Sequence, residues 1–253
     1  MTITIGSLLL YLLIVFRIMG CFLALPFFGP GMATVLKAAL SLFLGFALFP
    51  AAAIGVQAPG LDLTYAVLAG REVFLGLVMG LLVRLVFSIV SVAGELASQE
   101  MGFRISRQVD PLTGTEAPAL TQFYQAFAFL LFLGLDGHYW ILLVLAKSFR
   151  ASPLGGGLPG AGFGEWLADL FNRVFTMGIQ LSAPVFLLML MISIGVGLLS
   201  KLVEGINVFD IGFPIRIGAG LLFLMYLVPF LSHTFHKVFG ALQEGLFSLL
   251  QVV

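Results

Sequence analysis

Between Arg173 and Lys201 no residue carries a charge, and residues 174–200 exceed the roughly 20 apolar residues that a helix needs to cross a bilayer. Residues 217–236, between Arg216 and Lys237, make a second such stretch. Residues 38–61 qualify by count, but Pro50, Gly55 and Pro59 are placed to end their helix early. Residues 117–135 are borderline, and the first helix, about residues 3–25, holds Arg17 in its middle. A chain of this kind must be shielded by lipid or by protein. Only 9% of its 253 residues are charged, against about 25% in a soluble domain, so polar side chains cannot cover its surface. Its formal net charge of +0 lacks the basic excess that nucleic acid requires, so no nucleic-acid partner is expected.

Residues 64–101 read differently. They carry Arg71, Glu72, Arg84, Glu95 and Glu100 and have no internal breaker. A single helix of that length runs about 57 Å, far beyond a hydrocarbon core. Gly76 and Gly80, four apart, form a GxxxG surface that lets two backbones approach closely, and Gly94 with Ala97 offers a second small surface. Arg84 and Glu95 return to nearly the same face after three turns. Arg71 and Glu72 are adjacent and point about 100° apart, so they are not the usual helical pair and their partners are expected on other helices. The last segment, residues 234–253, repeats apolar side chains at helical spacing from Phe235 to Leu250. There is no strand pattern and no long linker. One all-α domain, residues 1–253, is expected, with long helices packed as helical hairpins.

The basic residues do not favour one side. If six helices span, one side of the membrane collects Arg71, Lys147, Arg150, Arg173 and Lys237, and the other Lys37, Arg104, Arg107, Lys201 and Arg216. That is five each, with no excess to orient the chain. Arg17 and Arg84 fall inside apolar segments, where a charge costs about 2.5–3.5 kcal/mol on insertion scales. Two arrangements fit: a conventional polytopic bundle with weak topology signals, or a chain much of which faces other subunits. The N-terminal MTITIGSLLLYLLIVF has no basic n-region and no clear AxA site, so it reads as the first structural helix. Cys21 is the single cysteine, a small buried apolar residue on this reading.

Sites for chemistry are sparse. Asp136 and His138 in LGLDGHYW follow an apolar helix and read as a polar cap; the competing reading is a membrane hydrolase using both. His233 and His236 share a helical face, but nothing nearby completes a zinc site. There is no HExxH, GxSxG or P-loop. No catalytic residue, cofactor or metal is expected. Met79, Met101, Met177, Met189, Met191 and Met225 read as filler or as parts of a deformable gasket. A self-contained transporter or small-solute channel would show an internal repeat with paired broken helices, and none is evident.

Several motifs in order carry a family resemblance. AGELASQEMGF at 93–103, VDPLTGTEAPALTQF at 109–123, LLFLGLDGHYWILLVLAKSF at 130–149, LSAPVFLLML at 181–190 and INVFDIGFPIRIGAGLL at 206–222 together resemble the FliR family. That family is a membrane component of the flagellar type III export apparatus, related to the equivalent injectisome subunit. The resemblance implies no enzymatic activity. It implies assembly with FliP-like and FliQ-like subunits into an export gate that FlhB-like and FlhA-like proteins join, in the bacterial inner membrane within the flagellar basal body. It also implies contact with membrane lipid and passage of exported flagellar substrate proteins. The topology implied is not that of an ordinary polytopic bundle.

The resemblance further implies that the segment from about Met101 to Pro118 plugs the closed channel, with PLTGTEAPALTQF favouring the flagellar branch. Gly102 and Gly114 give its backbone freedom, and Asp110-Pro111 marks a turn start. Phe103 follows Gly102 into the loop. Arg104, Arg107, Asp110 and Glu116 are free to pair with one another or with partner subunits. Thr115 is one possible cap for the helix entered at Pro118. In INVFDIGFPIRI, Asn207 and Asp210 suit a turn, Gly212 breaks one helix and Pro214 opens the next. Asn207, Phe209, Gly212, Phe213 and Pro214 are expected to fix packing of the subunit. So are Arg17, Arg71, Glu72, Gly76, Gly80, Arg84 and Glu95.

Overall fold

The computed structural model describes residues 5–28, 33–52, 60, 62–102, 107–109, 116–156, 160, 162–202 and 208–252. The fold is all-α. Seven helices follow one another among the described residues: α1 (Ile5–Ala24), α2 (Thr34–Ala52), α3 (Leu63–Glu100), α4 (Ala119–Gly134), α5 (Gly137–Ala151), α6 (Phe163–Leu202) and α7 (Val208–Val252). A 3-10 turn, Pro26–Phe28, follows α1. The expected single long helix is α3, and the expected early end of the second helix falls at Ala52, two residues beyond Pro50.

The core is organised by α3. α1 runs beside it in the same direction, because Tyr65 Oη donates to the Leu9 carbonyl at one end while Cys21 meets Gly80 at the other. The contact is backbone against backbone. A Cβ on Gly76 would fall on the Arg17 carbonyl, one on Gly80 on the Cys21 carbonyl, and one on Gly20 on the Val73 carbonyl. Three glycines from two helices therefore make the interface, as the GxxxG spacing led one to expect, with Gly20 as an added partner from α1. Cys21 lies buried in this seam. Gly94 takes the other small surface, against Thr121 and Tyr124 of α4, which runs antiparallel to α3. Ile89 packs on Gly178, and Phe74 on Phe163, so α6 follows α3 in parallel.

Two boundaries differ from the sequence expectation. Residues 217–236 and 234–253 belong to one helix: α7 is continuous for 45 residues from Val208. Gly212 and Pro214 lie within its first turns, so the expected helix break there is not present; Asn207 lies outside the described residues. A proline inside a helix removes one backbone bond, and surrounding groups in a membrane protein can absorb that loss. The uncharged stretch 174–200 is the C-terminal part of a 40-residue helix that starts at Phe163 and carries Glu165, Asp169 and Arg173 in its first half. Among the described residues four helices are long and apolar enough to span a bilayer, or five if the α4–α5 pair, bent by 62°, counts as one span. Within α2 the apolar stretch Thr34–Pro50 is shorter than these.

Burial is uneven. The most apolar window of α1 is 61% buried within the chain, and that of α3 56%; those of α6 and α7 are 17% and 22% buried. α6 and α7 pair antiparallel, tied by Trp166 Nε1 donating to Ser248 Oγ at 2.9 Å and Arg216 donating to Ser193 Oγ at 3.0 Å. Their outer faces, with Phe175, Ile194 and Tyr226, stay exposed.

Replacing Gly76 by leucine forces α1 off α3. The expected cost is at least the roughly 1–3 kcal/mol of overpacking, seen as a lower aggregation temperature in mild detergent. Gly70→Ala, on the same helix with open space around it, is expected to be neutral or stabilising by up to about 1 kcal/mol. Equal tolerance of both changes would contradict the close approach.

Candidate functional site

Two features stand out where chemistry or movement is concerned: a buried charge cluster within the α1–α3 seam, and the segment joining α3 to α4.

The cluster is built from three helices. Arg17 of α1 and Glu72 of α3 are both fully buried, and Arg17 Nε donates to Glu72 Oε2 at 2.5 Å. Arg71 NH1 donates to the other carboxylate oxygen, Oε1, at 2.8 Å. Adjacent helical residues point apart, but the long arginine side chain curls back over the carboxylate, so this neighbouring pair does form. Both arginines also reach the C-terminal end of α5. Arg17 donates to Ser148 Oγ at 3.1 Å and to the Ser152 carbonyl at 2.9 Å. Arg71 donates to the Pro153 carbonyl at 3.3 Å and to Ser152 Oγ. The Arg17 guanidinium lies 4.5 Å from the Phe149 ring centre.

The electrostatics explain this composition. Two guanidiniums share one carboxylate, and the carbonyl-rich, negative end of the α5 dipole meets them. The Ser152 and Pro153 carbonyls that receive the arginines lie just beyond the last residue of α5, and the Pro153 carbonyl also accepts from Gly156 N–H at 3.1 Å. The charges expected to find partners across helices do so inside this chain. Among the described residues the buried side-chain polar atoms left without a hydrogen bond are Tyr124 Oη and Gln125 Oε1, neither in the cluster. A satisfied cluster of this kind holds helices in place.

The connecting segment leaves α3 at Met101, which is fully buried and packs its thioether against Gly220 of α7. Gly102 follows with φ 82°, a left-handed value that glycine adopts freely. Its N–H donates to the Gln99 carbonyl at 3.1 Å, closing the helix end. Beyond it, β1 (Arg107–Val109) pairs antiparallel with β2 (Glu116–Pro118), in register Arg107↔Pro118 and Val109↔Glu116. No strand was expected here, because three-residue strands are too short to show alternation. Pro118 occupies the N-cap position of α4 without a side-chain cap. Phe103, Arg104, Asp110, Pro111, Gly114 and Thr115 lie outside the described residues. An open apolar groove of about 380 Å³ lies between the start of α4 and α7, lined by residues including Leu120, Phe123, Leu224 and Met225.

The remaining sequence candidates are scattered. Asp136 sits at the N-cap of α5 with φ 58°, exposed, and makes no side-chain cap bond; His138 is also exposed. The cap is one of position, and the bend is fixed by Gly137, where a Cβ would strike the Phe132 ring. His233 and His236 are exposed, and among the described residues no group of three His, Cys, Asp or Glu side chains could hold a metal. Met79, Met101 and Met189 are buried in the core while Met191 and Met225 are exposed. Arg84 and Glu95 share an exposed face of α3 but stand about 16 Å apart along it, too far to pair. Gly212 is buried and Pro214 exposed. Sequence reasoning missed Ser148 and Ser152, the serines that receive the arginines; their only signal was a position at the end of a helix.

An all-helical integral membrane protein with a satisfied internal charge cluster and long uncovered apolar faces is thus the class defined. Residues 8–242 match the family described as bacterial export proteins, family 1, and the chain belongs to that family. The flagellar biosynthetic protein FliR of Bacillus subtilis (strain 168) is 28% identical over 249 residues, covering 96% of this chain and 95% of that protein. FliR of Pectobacterium carotovorum subsp. carotovorum is 31% identical over 71% of this chain and 70% of its own length. Yop proteins translocation protein T of Yersinia pestis is 25% identical over 89% of this chain and 88% of its own length. The resemblance to the FliR family drawn from the residues is borne out.

Replacing Glu72 by glutamine leaves two buried guanidiniums without a carboxylate. The expected loss is about 3–5 kcal/mol, the cost of breaking a buried pair. Ser148→Ala, which removes one bond to a charged group, is expected to cost about 1.5–3 kcal/mol. Thermal aggregation in detergent should rank the two in that order, and the reverse order would contradict the cluster's role.

Proposed function

We propose that this chain is a structural, channel-forming subunit of the bacterial flagellar type III protein export gate, held in the inner membrane within the flagellar basal body. The observation that carries this reading is the end-to-end likeness to the Bacillus subtilis protein, with nearly the whole length of both chains matched. The fold supports it. The most apolar windows of α6 and α7 are only 17% and 22% buried within the chain, and these faces suit burial by FliP-like and FliQ-like subunits. FlhB-like and FlhA-like proteins complete the apparatus.

The mechanism is passive and not enzymatic. The subunit helps enclose a path for unfolded substrate proteins, and partners supply the energy. Residues 101–118 act as the plug. Met101 seats its root against Gly220, Gly102 turns the chain out of α3, and the hairpin stands between antiparallel α3 and α4. A segment held by a short ladder can give way while Met101 stays seated in the core. The injectisome equivalent is the second reading, supported by the likeness to the Yersinia pestis protein; two FliR proteins with higher identity favour the flagellar branch.

Deleting residues 102–113 in the native host should leave the assembled complex largely intact and raise membrane ion conductance. Unchanged conductance in correctly assembled complexes would contradict the plug, while absence of this chain without loss of flagellar protein export would contradict the wider reading.

A further inference from the structure

From Leu77 onward, one face of α3 stays exposed. Its exposed positions step by three or four residues through Leu77, Leu81, Arg84, Ser88, Val92 and Glu95. That is one continuous stripe along a helix. Arg84 and Glu95 are eleven residues apart, which brings them within about 20° of one line, about 16 Å from each other. Neither has an ionic partner among the described residues, where the ion pairs are Arg17–Glu72, Arg71–Glu72 and Arg173–Asp169.

Three surroundings are possible for such a stripe. Lipid would suit Leu77, Leu81 and Val92 but leave Arg84, inside the apolar run, as an unpaired charge. Water would solvate the charges but wet the apolar side chains. A protein helix with apolar side chains and charges of complementary sign meets both needs. A second copy of this chain does not fit. Copies inserted in one membrane with the same orientation run their α3 helices in parallel, which sets Arg84 against Arg84 unless one copy shifts by eleven residues.

We infer that this face of α3 docks a helix of a different subunit, one that presents an Asp or Glu opposite Arg84 and a Lys or Arg about 16 Å along opposite Glu95. The inference rests on the export-gate reading and adds the chemistry of the partner surface. Spacing and sign together fix the register and direction of the docked helix, a role that charges play well at interfaces.

A photo-reactive amino acid in place of Ser88, in the full-length chain expressed in its own host, tests this. The expected product is a cross-link to one other polypeptide, within about one turn of an acidic residue. Arg84→Glu should lower the yield about tenfold or more, since a buried charge left facing a like charge weakens an interface strongly. Converting the captured acid to arginine should then restore it. Cross-links only to lipid, or only to a second copy, would overturn the inference. So would labelling of Ser88→Cys by a membrane-impermeant maleimide in the assembled complex, which would mark an aqueous passage. A chain that purifies with no companion at all would overturn the export-gate reading itself, and this inference with it.

Discussion

The backbone contact between α1 and α3 governs what the remainder of the chain can do. Gly20, Gly76 and Gly80 remove the side chains that would hold these helices apart. In a membrane, where lipid tails match leucine for apolarity, such close packing is a main source of helix association. Close approach also brings Arg17 within reach of Glu72 and keeps water out. Without the seam, Arg17 would be a lone charge in an apolar helix. With it, the guanidinium joins α1, α3 and the end of α5. Packing and electrostatics therefore depend on each other: the glycines make the dry pocket, and the charges fix the register within it.

Much of this was legible from residues, and the reasons for the exceptions are physical. The length of α3 followed from an unbroken run without proline, and GxxxG marked its packing face. Arg17 and Glu72 were recognisable as charges in need of partners. Their actual pairing, 55 residues apart, depends on tertiary placement that local spacing does not encode. The Arg71–Glu72 contact escaped because Cβ direction was taken as the whole of side-chain reach. The joining of two expected segments into α7 escaped because Lys237 was taken as the bound of the uncharged stretch 217–236, while the helix continues past it, and an apolar setting that penalises an open backbone also carries it through Pro214 and Pro229. Around the proposed plug, Gly102, singled out for its backbone freedom, has φ 82°. The hairpin was too short to leave a periodic trace.

The balanced distribution of Lys and Arg now has a structural setting. The most apolar windows of α1 and α3 are more than half buried within the chain, whereas those of α6 and α7 are mostly exposed. α6 and α7, at 40 and 45 residues, exceed the thickness of a hydrocarbon core about twofold. Helices of such length with exposed Phe175, Ile194 and Tyr226 do not form a finished surface for water. On the proposed export-gate reading, other proteins contribute to their covering.

The most direct measurement of that claim is the native mass of the tagged chain extracted from its own host in mild detergent, with companions identified by mass spectrometry. The account predicts a complex far larger than the chain alone, containing at least two other small hydrophobic proteins. A stable, folded monomer or homo-oligomer with no companion would contradict it.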